Sequence, residues 1–401
     1  MDKLTPPHLQ PSLTWTMEEL LFLEKYRHAA PSEIFSLTKT AGSQRLFHQL
    51  FARQDATKKF PFLYTNEQIV YPISLSNEQA SSERTAAFKA SLLKGKRFID
   101  LSGGMGIDSY FLAQQFEFGI VVERDAELAK ITSHNFALLE QVNVQFAIGM
   151  NAEEFLSQYQ GTADLVYLDP ARRDQKGGKI VKLADCDPDI TTLLPHLWKM
   201  TDSVLIKTSP LLDIQAATGE LKHVKNVYVV AVENECKELL FHLEKDFIKE
   251  FSIHAVNFEK EKSTTFSFTL GEEKSADPQV GDIQKYLYEP NAAILKAGAF
   301  KVIAHSFQVK KLHPHSHVYT TDTLLNDFPG RRFEIIHVTN VDKKELFKFI
   351  PAMKANLSIR NFPGSVQDLR KKLGLTDGGD FYLFATTDHK GHKCVIITKK
   401  V

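Results

Sequence analysis

The chain has 401 residues, with 43% apolar and 24% charged residues, which is the composition of an ordinary soluble protein. The 49 basic and 49 acidic residues balance, which excludes a basic shell around the whole chain, and no apolar run approaches the ~18 residues that span a bilayer. The first ten residues lack a signal-peptide core, and three separated cysteines form neither a disulfide framework nor a Cys-x-x-Cys metal knuckle. We therefore expect a cytoplasmic protein of several domains.

Helical patterning dominates the first 85 residues. Apolar residues recur at helical spacing in the segment WTMEELLFLEKYRHA, and the segment SEIFSLTKT begins with a serine cap after Pro31. Residues 60–75 are aromatic, contain prolines and fit neither pattern clearly. The sequence predicts a helical N-terminal domain over residues 1–85.

Strands and helices alternate over the following region. Short apolar strands are predicted at residues 97–101, 119–123, 142–149, 163–170 and 203–208, with amphipathic helices after the first three. Alternation of this kind is typical of βαβ units and a parallel sheet. Later strands are predicted at 224–233, 251–258 and 264–270 around a helix at 236–245 (CKELLFHLEK), and they favour an antiparallel ending. We assign residues 86–272 to this domain.

A polar stretch at 271–282 is the best linker candidate, and small α+β units are predicted beyond it at 273–325 and 326–401. Residues 331–401 carry 14 basic and 7 acidic side chains, so the last unit is strongly basic. His313, His315 and His317 alternate along an extended segment, but no cysteine or acidic ligand is near, and we predict no metal site.

Polar and glycine residues follow the predicted parallel strands at the point where each strand ends. A glycine-rich turn, DLSGGMGID, joins the first strand to its helix, and its glycines allow the backbone to approach a ligand closely. Because the carboxyl ends of parallel strands line the ligand crevice of an open α/β sheet, we expect these residues to meet there. They are Asp100, Gly104 and Gly106 after the first strand, Glu123 after the second, Asn151 after the third and Asp169 after the fourth.

The ordered motifs DLSGGMG, VVERD, MNAEEF and VYLDPAR resemble those of class I S-adenosylmethionine-dependent methyltransferases over roughly residues 90–270. The resemblance implies a Rossmann-like fold and S-adenosylmethionine as cofactor. It implies that Asp100, Gly104 and Gly106 lie along the methionine end of the cofactor. Glu123 is then expected to bind the ribose and Asn151 the adenine. Ser102 stands where many members have glycine, and Asp108 is expected to contact the cofactor amino group.

Two other interpretations of the glycine turn remain open. A dinucleotide-binding fold also places an acidic residue after its second strand, although Ser109 stands where that pattern has its last glycine. A fold that has lost its cofactor is the second alternative.

The segment Asp169-Pro170-Ala171-Arg172 resembles the motif with which nucleic-acid methyltransferases hold the methyl acceptor. The reaction needs the acceptor lone pair in line about 3 Å from the methyl group, so positioning supplies most of the catalysis. The resemblance implies catalytic roles for Asp169, Pro170 and Arg172. Thr208 occupies the position of the cysteine that base-carbon methyltransferases require, which favours transfer to a base nitrogen.

The predicted substrate is structured RNA, either tRNA or rRNA. From about Tyr286 the chain resembles the ferredoxin-like and THUMP-like modules of a bacterial methyltransferase family, and THUMP modules bind RNA. Lysine and arginine side chains that track phosphates are predicted in two places: Arg172, Arg173, Lys176 and Lys179 beside the acceptor motif, and Arg360, Arg370, Lys371 and Lys372 near the C-terminus. Protein or small-molecule methylation and a non-catalytic RNA-binding protein remain alternatives. No membrane association and no obligate protein partner are expected.

Overall fold

The computed structural model describes residues 4–37, 44–72, 80–172, 183 and 186–401, with only the backbone of Arg172. The chain divides into two compact units, Met1–Val224 with Phe241–Ile248, and Lys225–Leu240 with Lys249–Val401. Among the described residues, no helix combines the length and apolar character that crossing a membrane would require.

The first unit begins with a helical region, as predicted. Its first α-helix is capped by Thr16, whose hydroxyl accepts from the amide of Glu19 while the Glu19 carboxylate accepts from the amide of Thr16. Leu23, Ile34 and Leu50 are buried in one apolar cluster that joins the first three helices. The helices are α1 (Met17–Lys25), α2 (Pro31–Leu37), α3 (Gln44–Lys59), α4 (Pro61–Tyr64) and α5 (Glu83–Ser91).

A large mixed sheet of ten strands follows along the chain: β1 (Leu4–Thr5), β2 (Gly95–Asp100), β3 (Phe116–Glu123), β4 (Val144–Ile148), β5 (Leu165–Leu168), β8 (Ser203–Thr208), β9 (Val224–Val232), β10 (Glu235–Glu244), β11 (Ser252–Phe258) and β12 (Ser263–Thr269). Two further strands, β6 (Ala171–Arg172) and β7 (Cys186–Asp187), pair with each other in a separate two-stranded sheet. The strand order of the large sheet is β1-β4-β3-β2-β5-β8-β10-β9-β11-β12. The neighbours β2–β3, β3–β4, β2–β5 and β5–β8 are parallel, which confirms the predicted α/β class. The helices between them are α6 (Ile107–Leu112), α7 (Ala126–Leu138), α8 (Ala152–Gln158), α9 (Ile190–Leu197) and α10 (Ile214–Glu220).

The predicted helix at 236–245 is wrong, because this segment is the strand β10. Its residues from Glu238 to Leu243 are buried without interruption, on both faces of the strand. A strand that is covered on both faces has a continuous apolar run, which periodicity alone does not distinguish from a buried helix. The antiparallel ending is confirmed for β11 and β12, although β11 lies parallel to β9.

The second unit contains a separate seven-stranded sheet with its helices. The elements are α11 (Leu270–Ser275), β13 (Tyr286–Pro290), α12 (Ala292–Ala297), α13 (Val302–Ser306), β14 (Lys310–Lys311), β15 (Tyr319–Thr321), β16 (Gly330–Thr339), α14 (Lys343–Phe349), β17 (Asn356–Arg360), α15 (Val366–Leu373), β18 (Phe381–Thr387) and β19 (Lys393–Lys400). The strand order is β14-β15-β13-β16-β19-β18-β17. Each face of this sheet carries a buried apolar cluster: Leu383 and Val395 face one that includes residues of α14 and α15, whereas Phe384 and Cys394 face the other.

The histidine segment connects β14 to β15 and makes packing contacts. The His317 ring stacks on Phe300 with ring centroids 3.6 Å apart, and burial lowers the pKa of His317 to about 4. The His313 ring nitrogen lies 2.9 Å from the side-chain nitrogen of Asn361. These contacts attach the segment to the rest of the seven-stranded sheet and its helices, which we call the C-terminal sheet domain.

Candidate active site

The glycine-rich turn after β2 has the backbone shape that the sequence predicts. Gly104 and Gly106 both have positive φ, at +54° and +72°, which favours glycine. A Cβ on Gly106 would lie 2.6 Å from Thr132 and 2.8 Å from Phe136, so this glycine allows α7 to pack against the turn. A Cβ on Gly104 would meet nothing closer than the Ser102 carbonyl oxygen at 3.7 Å. The turn therefore packs tightly on one side and leaves room at Gly104.

Asp100 ends β2, and its carboxylate organises this turn. Its side chain accepts hydrogen bonds from the Ser102 amide at 2.8 Å, the Ser102 hydroxyl at 2.9 Å and the Ser109 hydroxyl at 2.5 Å. Burial raises the pKa of Asp100 to about 7, and the hydrogen bonds from Ser109 and Ser102 partly oppose that effect. The residue is only 1% exposed, so its bonds shape the turn from inside.

Glu123, at the end of β3, lies directly against the turn. One carboxylate oxygen accepts from the Gly104 amide at 2.7 Å, and the other accepts from the Asp125 amide at 2.8 Å. The Glu123 carbonyl oxygen accepts from the amides of Gly149 and Met150, which brings the end of β4 to the same edge. The structure thus brings together the carboxylate and the glycine turn that the sequence assigns to the cofactor.

Asn151 follows β4 and begins α8. Its side-chain oxygen accepts from the Glu154 amide at 2.8 Å, and the Glu154 carboxylate accepts from the Asn151 amide at 3.1 Å. The residue is exposed. The side-chain oxygen of Asn151 is therefore used in the helix cap, and the predicted adenine contact would come from its side-chain nitrogen.

Ser102 connects the cofactor turn to the predicted acceptor motif. The backbone amide of Asp169 donates to the Ser102 hydroxyl at 2.7 Å, and that hydroxyl donates to Asp100. Asp169 and Pro170 follow β5, which lies beside β2. Ser102, which stands where many members of the family have glycine, thus links the end of β2 to the end of β5 through hydrogen bonds.

The surroundings of Asp169 include a residue that the sequence analysis missed. Lys207, near the end of β8, donates through its ammonium group to one carboxylate oxygen of Asp169. The side chain of Lys207 is 10% exposed, whereas that of Asp169 is 33% exposed. The hydroxyl of the next residue, Thr208, is buried and forms no hydrogen bond within the described part of the chain.

Asp108 is predicted to contact the cofactor, but the structure buries its carboxylate among protein groups. It accepts hydrogen bonds from the hydroxyls of Ser81 and Tyr167, both at 2.8 Å, and pairs with the fully buried Lys89 at 3.2 Å. Burial disfavours the ionised form, but the ammonium groups of Lys89 and Lys207, together with the two hydroxyl hydrogen bonds, outweigh it and lower the pKa of Asp108. The cofactor contact of Asp108 therefore remains a prediction from the resemblance alone.

The predicted phosphate-binding residues are in different situations. Arg173, Lys176 and Lys179 lie outside the described residues, as does the side chain of Arg172. In the C-terminal sheet domain, Arg360 and Arg331 both pair with the buried carboxylate of Glu289, and Arg370 pairs with Asp377. The remaining pair, Lys371 and Lys372, is exposed on α15.

Comparison with known proteins shows the family to which the chain belongs. A crystal structure of a candidate methyltransferase from Porphyromonas gingivalis W83 superimposes with a TM-score of 0.85 at 31% sequence identity, covering 98% of this chain and 99% of that one. The chain belongs to this methyltransferase family. The family carries a class I methyltransferase fold, and the resemblance stated from the motifs is confirmed.

The C-terminal part of this methyltransferase matches two sequence families: a ferredoxin-like domain over residues 286–329 and a THUMP-like domain over residues 330–400. An rRNA methylase from Streptococcus thermophilus matches at 14% identity and a TM-score of 0.29, covering 40% of this chain and 94% of that one. TrmK from M. capricolum, in complex with S-adenosylhomocysteine, matches at 11% identity and a TM-score of 0.32, covering 44% and 70%. No curated protein sequence matches the chain.

Proposed function

We propose that this methyltransferase uses S-adenosylmethionine to methylate a base nitrogen of structured RNA, tRNA or rRNA, in the cytoplasm. In this proposal residues 86–272 form the catalytic domain. Residues 1–85 form the helical domain, and 273–325 with 326–401 form modules that recognise the RNA. The cytoplasmic location is supported by the three cysteines, Cys186, Cys236 and Cys394, which are all free thiols.

The residues at the edge of the parallel sheet fit the cofactor. The backbone at Gly104 is open on the side where a Cβ would otherwise stand, so a bound molecule can lie against it. The Glu123 carboxylate beside this opening can accept the two hydroxyl hydrogens of a ribose. When bound, S-adenosylmethionine would supply an activated methyl group. Glu123, Gly104 and Asn151 would hold it.

The proposed role of Asp169 in binding the methyl acceptor is supported by one observation. The Ser102 hydroxyl bonds both to Asp100 of the cofactor turn and to the backbone amide of Asp169. This link holds the backbone of Asp169 next to the cofactor turn. One oxygen of Asp169 is held by Lys207, which leaves the other oriented to accept an N–H from an amino group. Holding the amino nitrogen in line with the methyl group is the main catalytic contribution that the chain can make.

The RNA substrate is supported by the THUMP-like match and by the 14 basic and 7 acidic residues after residue 330. Exposed lysines contribute to RNA binding through their charge, without sequence preference. Lys371 and Lys372 are neighbours on α15 and form the best candidate contact within the described residues of this domain.

The test compares nucleosides from cells that lack the protein with nucleosides from complemented cells, by mass spectrometry. One methylated base should be absent without the protein and restored by the wild type but not by Asp169→Ala. Asp202→Ala is the matched control, because Asp202 also pairs with a lysine but lies just before the start of β8, at the end of the strand opposite to Lys207. Unchanged nucleosides together with methyl transfer to a protein or a small molecule would replace the RNA proposal.

A further inference from the structure

Lys207 has no assigned role in the motifs that identify the cofactor site, yet it contacts the acceptor carboxylate. It is the fifth residue of the strand β8, which lies next to β5, and Asp169 is the first residue after β5. Its side chain is nine-tenths buried, and its ammonium group bonds to one oxygen of Asp169. A lysine that loses this much hydration needs compensating negative charge, which Asp169 supplies.

The same ammonium group also acts on Asp108, since it is among the positive charges that favour the ionised form of that carboxyl. Asp108 in turn pairs with the fully buried Lys89 of α5. The charges therefore alternate in sign along the series Lys89, Asp108, Lys207 and Asp169, of which the first three are buried and Asp169 is one-third exposed. This alternation stabilises the charged form of each group, because each charge has a neighbour of opposite sign in a region of low dielectric.

The geometry of Asp169 shows what the lysine does for the acceptor. Its backbone is held by Ser102 and its side chain by Lys207, so the carboxylate is fixed from two sides. Without the lysine, the side chain would rotate and both oxygens would compete for the incoming amino group. A displacement of about 1 Å at a reacting centre costs about 100-fold in rate.

We propose that Lys207 is a positioning residue that fixes Asp169 so that a single carboxylate oxygen receives the N–H of the acceptor amine. The proposal rests on the proposed methyl transfer to a nitrogen. Lys207 acts through Asp169 and does not contact the cofactor.

The variants are Lys207→Met, which keeps the apolar length without the charge, and Lys207→Arg, which keeps a cation. The matched control is Lys245→Met, because Lys245 is 41% exposed and also pairs with an aspartate, Asp202, which lies just before the start of β8, whereas Lys207 lies near its end. Each protein is tested with S-adenosylmethionine and RNA from cells that lack the protein.

Lys207→Met should lower kcat about 100-fold while the KM and Kd for S-adenosylmethionine stay within about twofold. Lys207→Arg should recover at least tenfold of the lost rate, and Lys245→Met should match the wild type. A kcat for Lys207→Met within threefold of the wild type would overturn the proposal, as would an equal loss of cofactor affinity.

A second measurement needs no RNA and separates this proposal from the proposed function. The side-chain carboxylate resonance of Asp169, recorded in the free protein labelled with carbon-13 at aspartate and assigned by its loss in Asp169→Asn, is followed at one fixed pH. It should move in Lys207→Met and stay in place in Lys245→Met. An unmoved resonance would refute the role of Lys207 whatever the substrate. A moved resonance in a protein that methylates no RNA would support the fixed carboxylate and refute the RNA substrate.

Discussion

Removing the Ser102 hydroxyl tests whether the cofactor turn and the acceptor motif act as one unit. In Ser102→Ala, Asp169 loses the acceptor of its amide hydrogen bond at 2.7 Å, and Asp100 loses the hydroxyl donor at 2.9 Å. The bond from the Ser102 backbone amide to Asp100 remains. The substitution therefore cuts the link between two strand ends and leaves the turn otherwise intact.

The magnitude follows from the two lost bonds. A hydrogen bond to a charged group contributes about 1.5–3 kcal/mol to stability and a neutral one about 0.5–1.5 kcal/mol. Asp169 is partly exposed, so water can replace the acceptor for its amide. We expect the free energy of unfolding to fall by about 1–3 kcal/mol. The kcat should fall about 10- to 100-fold because Asp169 loses its anchor, whereas cofactor affinity should change less than about threefold.

Denaturant unfolding, calorimetry with S-adenosylmethionine and single-turnover methylation measure these three quantities. Ser109→Ala is the matched control, because the Ser109 hydroxyl donates to the other oxygen of Asp100 but has no bond to Asp169. It should lose comparable stability while its turnover stays within about threefold of the wild type. Equal turnover losses in the two variants would refute the reasoning, since the damage would then come from Asp100 alone.

Four further predictions concern the cofactor, pH, RNA and the stability of the C-terminal part. Glu123→Ala should weaken S-adenosylmethionine binding, expected near micromolar, by about 1–3 kcal/mol in calorimetry, and unchanged affinity would contradict the ribose role. Because burial raises the pKa of Asp100 from 3.8 to about 7, its protonated form favours the folded state. Stability should be greatest below pH 4 for this group and decline until about pH 7, by a few kcal/mol, and Asp100→Asn should remove that decline in unfolding measured across the range. Replacing Lys371 and Lys372 by alanine should reduce the log–log salt slope of RNA binding by up to about two units, with filter binding as the assay. Arg360→Ala should instead destabilise the domain by about 1–3 kcal/mol, because it removes a partner of a buried carboxylate.

The sequence predicts the fold well where a short apolar strand alternates with an amphipathic helix. The strands β2, β3 and β5, which end at Asp100, at Glu123 and directly before Asp169, are all found, because their turns and caps are local signals. The strand β10 is mistaken for a helix because burial on both faces removes the alternation that identifies a strand. Whether this segment forms a strand also depends on which strands become its neighbours in the sheet, and the local sequence does not specify those neighbours.

The candidate site divides in the same way. The glycine turn and its acidic partner are recognisable from spacing, whereas Lys207 is not. Its partner Asp169 lies 38 residues earlier in the chain, and the pair forms only because β8 is placed next to β5. The role of Ser102 is hidden for a similar reason. A serine in place of glycine is a visible departure, but its bond to Asp169 depends on the neighbouring strand. Only the general rule that parallel strand ends converge pointed toward either residue.

Pairing within the seven-stranded sheet limits how the C-terminal part of the gene can be divided during evolution. The ferredoxin-like match ends at residue 329 and the THUMP-like match begins at 330, yet β13 from the first pairs along its length with β16 from the second. The carboxylate of Glu289 on β13 also binds Arg331 and Arg360 of the following segment. A gene that kept only the second segment would expose the edge of β16 over Gly330–Glu334, which β13 now covers, and an unpaired strand edge favours aggregation. It would also leave Arg331 and Arg360 without their acidic partner. Fusion or loss during evolution should therefore move the two segments together.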